Sequence, residues 1–198
     1  NRSFVEKHNI KVVRRLSGGG AVYQDEGNLN FSFHMPWEGE DFVDFTKFTQ
    51  PVIDVLQDMR IDARLQGRND LVIKRKKFSG NAKMLYKNKV LQHGTILYKS
   101  NMAVLSDALK VNPLKFRDKA VKSTRARVCN ITDYMKEDKG LEFFSNQLLE
   151  HITKTYPNAG YYEYSPDDIR AIQALADSKY STWDWNFGTS PGYDFKKG

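Results

Sequence analysis

Three consecutive glycines follow two basic residues in Arg14-Arg15-Leu16-Ser17-Gly18-Gly19-Gly20-Ala21-Val22-Tyr23. Glycine reaches backbone angles closed to other residues and lets a second molecule approach the main chain. Beside arginine, such a run presents bare N–H groups and a charged fork to one anion, which is the chemistry of a phosphate cradle. The run is neither the Walker pattern nor GxGxxG, and many triple glycines are only flexible turns. Three other clusters carry reactive types. In Gly67-Arg68-Asn69-Asp70, Asp70 can offer a carboxylate oxygen to Mg²⁺ and Asn69 can orient a phosphate or water, while the same tetrapeptide also makes an ordinary turn. Lys77-Phe78-Ser79-Gly80-Asn81-Ala82 sets a lysine before a Ser-Gly turn, within reach of an anion site, although Lys74-Arg75-Lys76-Lys77 also reads as a solvated basic run. Gln92-His93-Gly94-Thr95 offers His93 as a base, a ligand or a hydrogen-bonded wall residue. Four histidines, none at zinc spacing, and one cysteine argue against a structural metal, and no GxSxG elbow is present.

These clusters need elements to hold them. Lys11-Val12-Val13 reads as a short strand feeding the glycine loop. Leu29, Phe31, Phe33 and Met35 alternate with polar residues, the pattern of a half-buried strand. Phe45, Phe48, Val52, Leu56 and Met59 recur at helical spacing, which predicts a helix from Asp44 to Arg60. Leu71-Val72-Ile73 is a short buried strand, and Met84 to Tyr98 is a hairpin turning at Lys87-Asn88-Lys89. Asn101 caps a helix through Leu109 that Asn112-Pro113 ends, and Gly140 to Thr155 is a further helix. Ser165-Pro166-Asp167-Asp168 starts a last helix, running to about Lys179. Antiparallel strands clustered between helices predict an α+β fold with a largely antiparallel sheet.

The 198 residues suffice for one sizeable core, and 40% hydrophobic with 28% charged residues fits a globular chain. No apolar run approaches the ~20 residues that span a bilayer, so no membrane partner is expected. Lone Cys129 fits a reducing compartment, and the net charge of +7 favours anionic partners. A chain opening on Asn1-Arg2-Ser3-Phe4 reads like the middle of a longer protein.

Taken together, the clusters resemble the lipoate–protein ligase family. The matching residues are Arg15-x-Ser17-Gly18-Gly19-Gly20-Ala21-Val22-Tyr23-x-Asp25-x-Gly27-Asn28, then Gly67 to Asp70, Lys77-x-Ser79-Gly80-Asn81-Ala82 and His93-Gly94-Thr95. Ser123-x-Arg125-x-Arg127-Val128-x-Asn130-Ile131-Thr132 and Trp183-x-Trp185-Asn186-Phe187-Gly188-x-x-Pro191 follow in order. The resemblance covers nearly the whole chain.

It implies an α+β catalytic domain of the kind shared with biotin–protein ligases, spanning 1–180 and lacking its N-terminal part. An aromatic segment over 181–198 would then join an accessory domain. The implied reaction is two-step: lipoate and ATP, with Mg²⁺, give lipoyl-adenylate, and a lysine of a lipoyl domain takes the acyl group. Implied acceptors are E2 subunits of 2-oxoacid dehydrogenases and the glycine-cleavage H protein, in the cytoplasm or, in a eukaryote, the mitochondrion. By resemblance Lys77 bridges the lipoate carboxylate and the α-phosphate. Arg15 and Gly18, Gly19 and Gly20 hold phosphate. Ala21, Val22, Tyr23 and Ala82 border the nucleotide. Asn69 and Asp70 sit at the phosphates, with Asp70 as the Mg²⁺ ligand. Leu16, Ser17, His93 and Gly94 line the lipoate slot.

Two rivals share that fold. A cysteine-dependent octanoyl or lipoyl transferase would need Cys129 as nucleophile, and a small buried structural cysteine is the better reading of Arg127-Val128-Cys129-Asn130-Ile131. Biotin ligases use a different arginine-glycine loop. A nucleic-acid-binding module would use Lys74 to Lys77, yet that run lacks interleaved aromatics and leaves the glycine loop unexplained, so no nucleic-acid partner is expected.

Overall fold

The computed structural model describes residues 1–37, 39, 44–110, 128–156 and 158–189. In chain order these form α1 (Arg2–Lys7), β1 (Asn28–Pro36), α2 (Thr46–Asp58), β2 (Ala63–Gln66), β3 (Asp70–Ile73), β4 (Lys76–Tyr86), β5 (Lys89–Leu97), α3 (Met102–Ala108), α4 (Leu141–Thr155) and α5 (Pro166–Leu175). A 3-10 turn covers Ile131–Tyr134, and π-helical turns cover Ala176–Tyr180 and Asp184–Gly188. The expected α+β class holds: the strands make one antiparallel sheet in the order β1-β5-β4-β3-β2.

Alternation along each strand divides that sheet into two faces. Leu65, Leu71, Ser79, Ile96 and Leu29 share one register row, and Asn81, Gly94 and Phe31 share another. These rows face α2 and α4. Val52, Ile53, Val55 and Leu56 of α2 and Phe144 and Leu148 of α4 close over Leu71, Ile73, Phe78 and Ile96. Full burial of each such side chain contributes roughly 1.5–3 kcal/mol. The opposite face carries Asp70, Gly80, Ala82, His93 and Thr95.

Polar joints fix the sheet ends. Asp138 accepts from Lys99 Nζ at 2.7 Å, from Tyr98 Oη at 2.7 Å and from Gly140 N at 3.0 Å, tying β5 to the start of α4. Those donors hold its carboxyl down at about 2, while burial and the bond to Asp138 push Tyr98 up to about 12. Asn130 grips Ser100 through Ser100 N and O, and Thr132 Oγ1 donates to Tyr98 O.

Several expectations change. Lys11-Val12-Val13 is no strand, and Arg15 to Tyr23 is an irregular loop. Its hydrogen bonds go elsewhere: Arg14 N donates to Asn186 Oδ1 at 2.8 Å, and Trp185 Nε1 donates to Arg14 O at 2.9 Å. Ser79-Gly80 lies inside β4 instead of a turn. Strand β2 carries only Ala63 and Leu65 as its apolar alternation, too short a signal for a strand prediction. The last α-helix stops at Leu175, and the π turn Ala176–Tyr180 continues it. The helix stop at Asn112-Pro113, the motif residues Ser123, Arg125 and Arg127, and Pro191 lie outside the described residues.

Candidate functional site

Lys77 owes its direction to a fault in the ladder. Val72 pairs with Lys77 and Leu71 with Ser79, so Phe78 has no partner of its own on β3. Such a bulge re-aims side chains. Phe78 drops into the core, fully buried, and Lys77 falls on the opposite face. Its main chain is held from the side, with Cys129 N donating to Lys77 O at 3.0 Å in a single parallel bridge between Lys77 and Val128. Its ammonium lies along β4, close enough that a Cβ on Gly80 would stand 3.0 Å from Nζ.

Lys77 Nζ sits 2.7 Å from Asp70 Oδ1, with both side chains about one-third exposed. A cleft of ≈ 260 Å³ opens there, lined by Gln66, Gly67, Asp70, Val72, Arg75 and Lys77. A partly exposed ion pair is worth only ~0–1 kcal/mol, so an incoming anion can take Lys77 from Asp70 at small cost. Asn69 is occupied by architecture. Its side-chain Nδ2 donates to Asn81 O, and its main-chain carbonyl accepts from Asn81 N at 3.1 Å and from Asn81 Nδ2 at 3.0 Å. That exchange clamps the 67–69 turn onto β4.

The second group surrounds the glycine loop. Ser17 is buried, and its Oγ lies 2.5 Å from His93 Nε2. Arg15 Nε donates to Ser17 Oγ at 3.2 Å, and a terminal nitrogen of Arg15 donates to Gly18 O and Gly20 O, each at 2.9 Å. Burial first, and the Arg15 charge second, lower the pKa of His93; burial also lowers that of Arg15. Ser17 Oγ accepts from Arg15 and shares a hydrogen bond with His93 Nε2 whose direction follows the imidazole tautomer, so the three side chains form one connected chain. Gly19 has φ +116°, and a Cβ there would stand 2.7 Å from Arg15 Nη2. Leu16, Ala21 and Val22 are exposed, and partial burial raises the pKa of Tyr23.

The two groups share the sheet face turned away from α2 and α4. Ala82 pairs with His93, and Gly80 pairs with both Thr95 and Asp70. Ladder spacing puts the backbone of His93 roughly 12 Å from that of Asp70. Gly94 does not join them. It turns to the helices, where a Cβ would stand 2.4 Å from Asn81 Oδ1 and 2.5 Å from Phe31 Cζ. Asp25, Gly27 and Asn28 anchor the loop instead of facing the cleft: Asp25 accepts from Gly27 N and Asn101 N, and Gly27 O accepts from Tyr98 N and Lys99 N. The Lys77–Asp70 pair was not foreseen. Its signal was a carboxylate opening β3 and a lysine opening β4, which one hairpin brings face to face.

Among the described residues no group of three or more His, Cys, Asp or Glu is placed to hold a metal. Asp70 supplies one carboxylate, which fits Mg²⁺ only as an ion carried mainly by phosphates and water. Cys129 is buried in the core, and burial pushes its thiol up to about 11, far from a ready thiolate.

Comparison with known proteins adds to this geometry. The family described as the lipoyl protein ligase A/B catalytic domain matches residues 1–153. Lipoate–protein ligase 1 of Staphylococcus aureus is 42% identical over 197 residues, which cover 100% of this chain and 60% of the relative. The chain thus spans about three-fifths of the length of that relative. A structure described as a bi-partite lipoate protein ligase and its E2 lipoyl domain from Thermoplasma acidophilum superposes with a TM-score of 0.80 at 34% identity, over 98% of this chain and 76% of that one. A lipoate-protein ligase A solved with ATP gives a TM-score of 0.74 at 29% identity, over 95% and 76%.

Proposed function

This chain belongs to the lipoyl protein ligase A/B catalytic domain family, and from that premise we propose that it joins lipoate to a lysine of a lipoyl domain in two ATP-dependent steps. A carboxylate oxygen of lipoate attacks the α-phosphorus of ATP, the bond to the bridging oxygen breaks, and pyrophosphate leaves. The acceptor amine then attacks the carbonyl carbon of the mixed anhydride, loses a proton, and expels AMP.

The observation that carries this reading is Lys77 on its bulge, 2.7 Å from Asp70 and open to the cleft. Two anions must meet within bonding distance, and a fixed ammonium offsets their repulsion. Lys77 leaves Asp70 for the carboxylate and stays with the phosphate as charge moves there. Asp70, once released, has a free oxygen for the Mg²⁺ that accompanies the nucleotide; the ion's part is to neutralise phosphate charge. The glycine loop supplies N–H donors, and Leu16 with the strand beneath His93 offers an apolar slot for the acyl chain. ATP and lipoate as substrates rest on the names of the relatives and on the ATP-bound neighbour. A lipoyl domain as acceptor is supported by the archaeal pair, and the glycine-cleavage H protein is the finer part of this proposal. No helix among the described residues is long and apolar enough to cross a membrane; a cytoplasmic site, or a mitochondrial one in a eukaryote, completes the reading.

The test is lipoate-dependent ATP–pyrophosphate exchange on the whole protein, with octanoate and biotin run alongside. Exchange with lipoate, lost in Lys77→Ala and kept in Cys129→Ser, is the expected result. A folded Cys129→Ser protein without activity, together with an acyl thioester on the wild type, would return the assignment to an acyltransferase.

A further inference from the structure

Lys74 and Arg75 form the two-residue turn between β3 and β4, with φ +47° and +67°. A turn with both central φ values positive matches the twist of a hairpin, and asparagine followed by glycine is its usual filling. Lysine and arginine rarely enter that left-handed region, and residues held there against their preference cluster at functional sites. The two side chains part. Lys74 Nζ stands 5.6 Å from the centroid of the Tyr134 ring, which packs against the core. Arg75 goes the other way and lines the cleft with Gln66, Asp70 and Lys77. Lys76, next in the chain, pairs with the core residue Ile73 and so belongs to the face away from the cleft. Lys77 is held by Asp70, whereas Arg75 is exposed and has no acidic or hydrogen-bonding partner among the described residues. The cleft mouth therefore carries an unpaired guanidinium on a strained turn.

We infer that Arg75 docks the acceptor domain, gripping a carboxylate that neighbours the acceptor lysine. The inference rests on the two-step ligase reading for the identity of the partner, and on the turn and the cleft for the role of Arg75. The acceptor amine must enter a cleft that already holds the Lys77 ammonium and the Arg75 guanidinium, in a chain of net charge +7. Like charge opposes that approach, and a carboxylate carried close to the acceptor lysine offsets it. The reach fits a neighbour one or two positions away. Two residues of rise separate Arg75 from Lys77, roughly 7 Å, and consecutive Cα atoms of an acceptor are about 3.8 Å apart. A guanidinium takes a carboxylate in two parallel bonds, which an ammonium cannot do. That difference gives arginine a use at a turn position where glycine would fold more easily.

The test assays the whole protein with ATP, lipoate and an unlipoylated E2 lipoyl domain, as wild type, Arg75→Glu, Lys76→Glu and the turn variant Lys74→Asn/Arg75→Gly. Each acidic neighbour of the acceptor lysine is also changed in turn to lysine. Arg75→Glu should raise the acceptor KM about tenfold more than it slows adenylate formation, and the excess should shrink as salt screens the pair. Lys76→Glu makes the same charge change on the other face and should alter either step less than about twofold. One of the acceptor changes should restore transfer by Arg75→Glu. The turn variant, freed of backbone strain, should melt higher by roughly 2–4 °C and still use the acceptor poorly. Equal losses in adenylation and transfer would place Arg75 at the nucleotide and overturn the docking role. So would an unchanged acceptor KM in the turn variant, a Lys76→Glu loss as large as that of Arg75→Glu, or the lack of any rescuing acceptor change. The ligase reading fails on a different result, absence of lipoate-dependent exchange in the wild type.

Discussion

On β5, Gln92, Gly94 and Ile96 point toward α2 and α4, whereas His93 and Thr95 point the other way, and the two directions differ in kind. The helix side is closed: Leu56, Leu71, Phe78, Ile96 and Phe144 have almost no exposure, and its polar members are locked or tightly enclosed. The other side holds the ion pair, the imidazole and the arginine-bound loop. One pleated sheet thus separates stability from chemistry at single-residue spacing. Substitutions one position apart should report on different properties.

The largest expected contrast lies in the core. Leu56→Ala, fully buried on α2, should lower unfolding free energy by about 2–5 kcal/mol in urea titration while adenylation per folded molecule is kept. A selective loss of activity would mean that the faces are not separable. Next comes Lys77→Ala, which should cut adenylate formation by ~10²-fold or more with little change in Tm, since a fixed charge-stabilising donor is removed from the open side. Its neighbour Lys76 serves as control; Lys76→Ala should be nearly neutral in the same single-turnover assay, because a solvated charge contributes little. Equal damage from both would show that the bulge does not single out Lys77.

Gly94→Ala sharpens the boundary. Its methyl would press on Asn81 Oδ1 and Phe31, so a stability loss of about 1–3 kcal/mol is expected by thermal or urea melting. Lowered lipoate affinity with stability intact would move Gly94 to the open side. The smallest expected effect is pH dependence. His93 has a folded pKa below its ordinary 6.5, so the unfolded chain binds the proton more readily. The anchor from Ser17 to His93 is at full strength above pH 6.5 and is lost as pH falls through the lowered folded value. Melting curves of wild type and His93→Gln should therefore converge on acidification below 6.5; a gap that widens there would reverse the sign.

What could be read from the amino acids follows the range of the forces involved. The stripe from Phe45 to Leu56, the Asn101 cap and the Ser165–Asp168 capping box are set by neighbours a few residues away, and each appears where its pattern places it. The clusters at Gly67–Asp70, Lys77–Ala82 and Gln92–Thr95 could be named from their residue types, but not the sheet register that sets their relative places. The bulge at Phe78 was not legible, because it exists only in the register between β3 and β4. Nor was the anchoring of the stretch after Lys11-Val12-Val13, where Arg14 bonds to residues near 186. Within the family-like signature the sequence cannot separate two uses of the same residue types. Asn69, Gly27 and Asn130 hold neighbouring segments together, Lys77 and Asp70 line the cleft, and His93 bonds to Ser17 of the glycine loop.

The bonds from Trp185 and Asn186 to Arg14 join positions 171 and 172 residues apart. A ribosome supplies those partners at different times. At about 5–20 residues per second, Arg14 waits roughly 10–30 s for its partners to be made. The sheet and its helical cover come from residues up to about 155 and can pack during that interval, whereas the glycine loop gains its second anchor only when the aromatic turn emerges. Nascent chains arrested before Thr182 should be cleaved by protease within 10–20 and resist it in the core; chains released past Gly188 should resist in both. The segment after α5 thus acts as a late-arriving latch, fastening the start of the glycine loop only once the folded body is there to receive it.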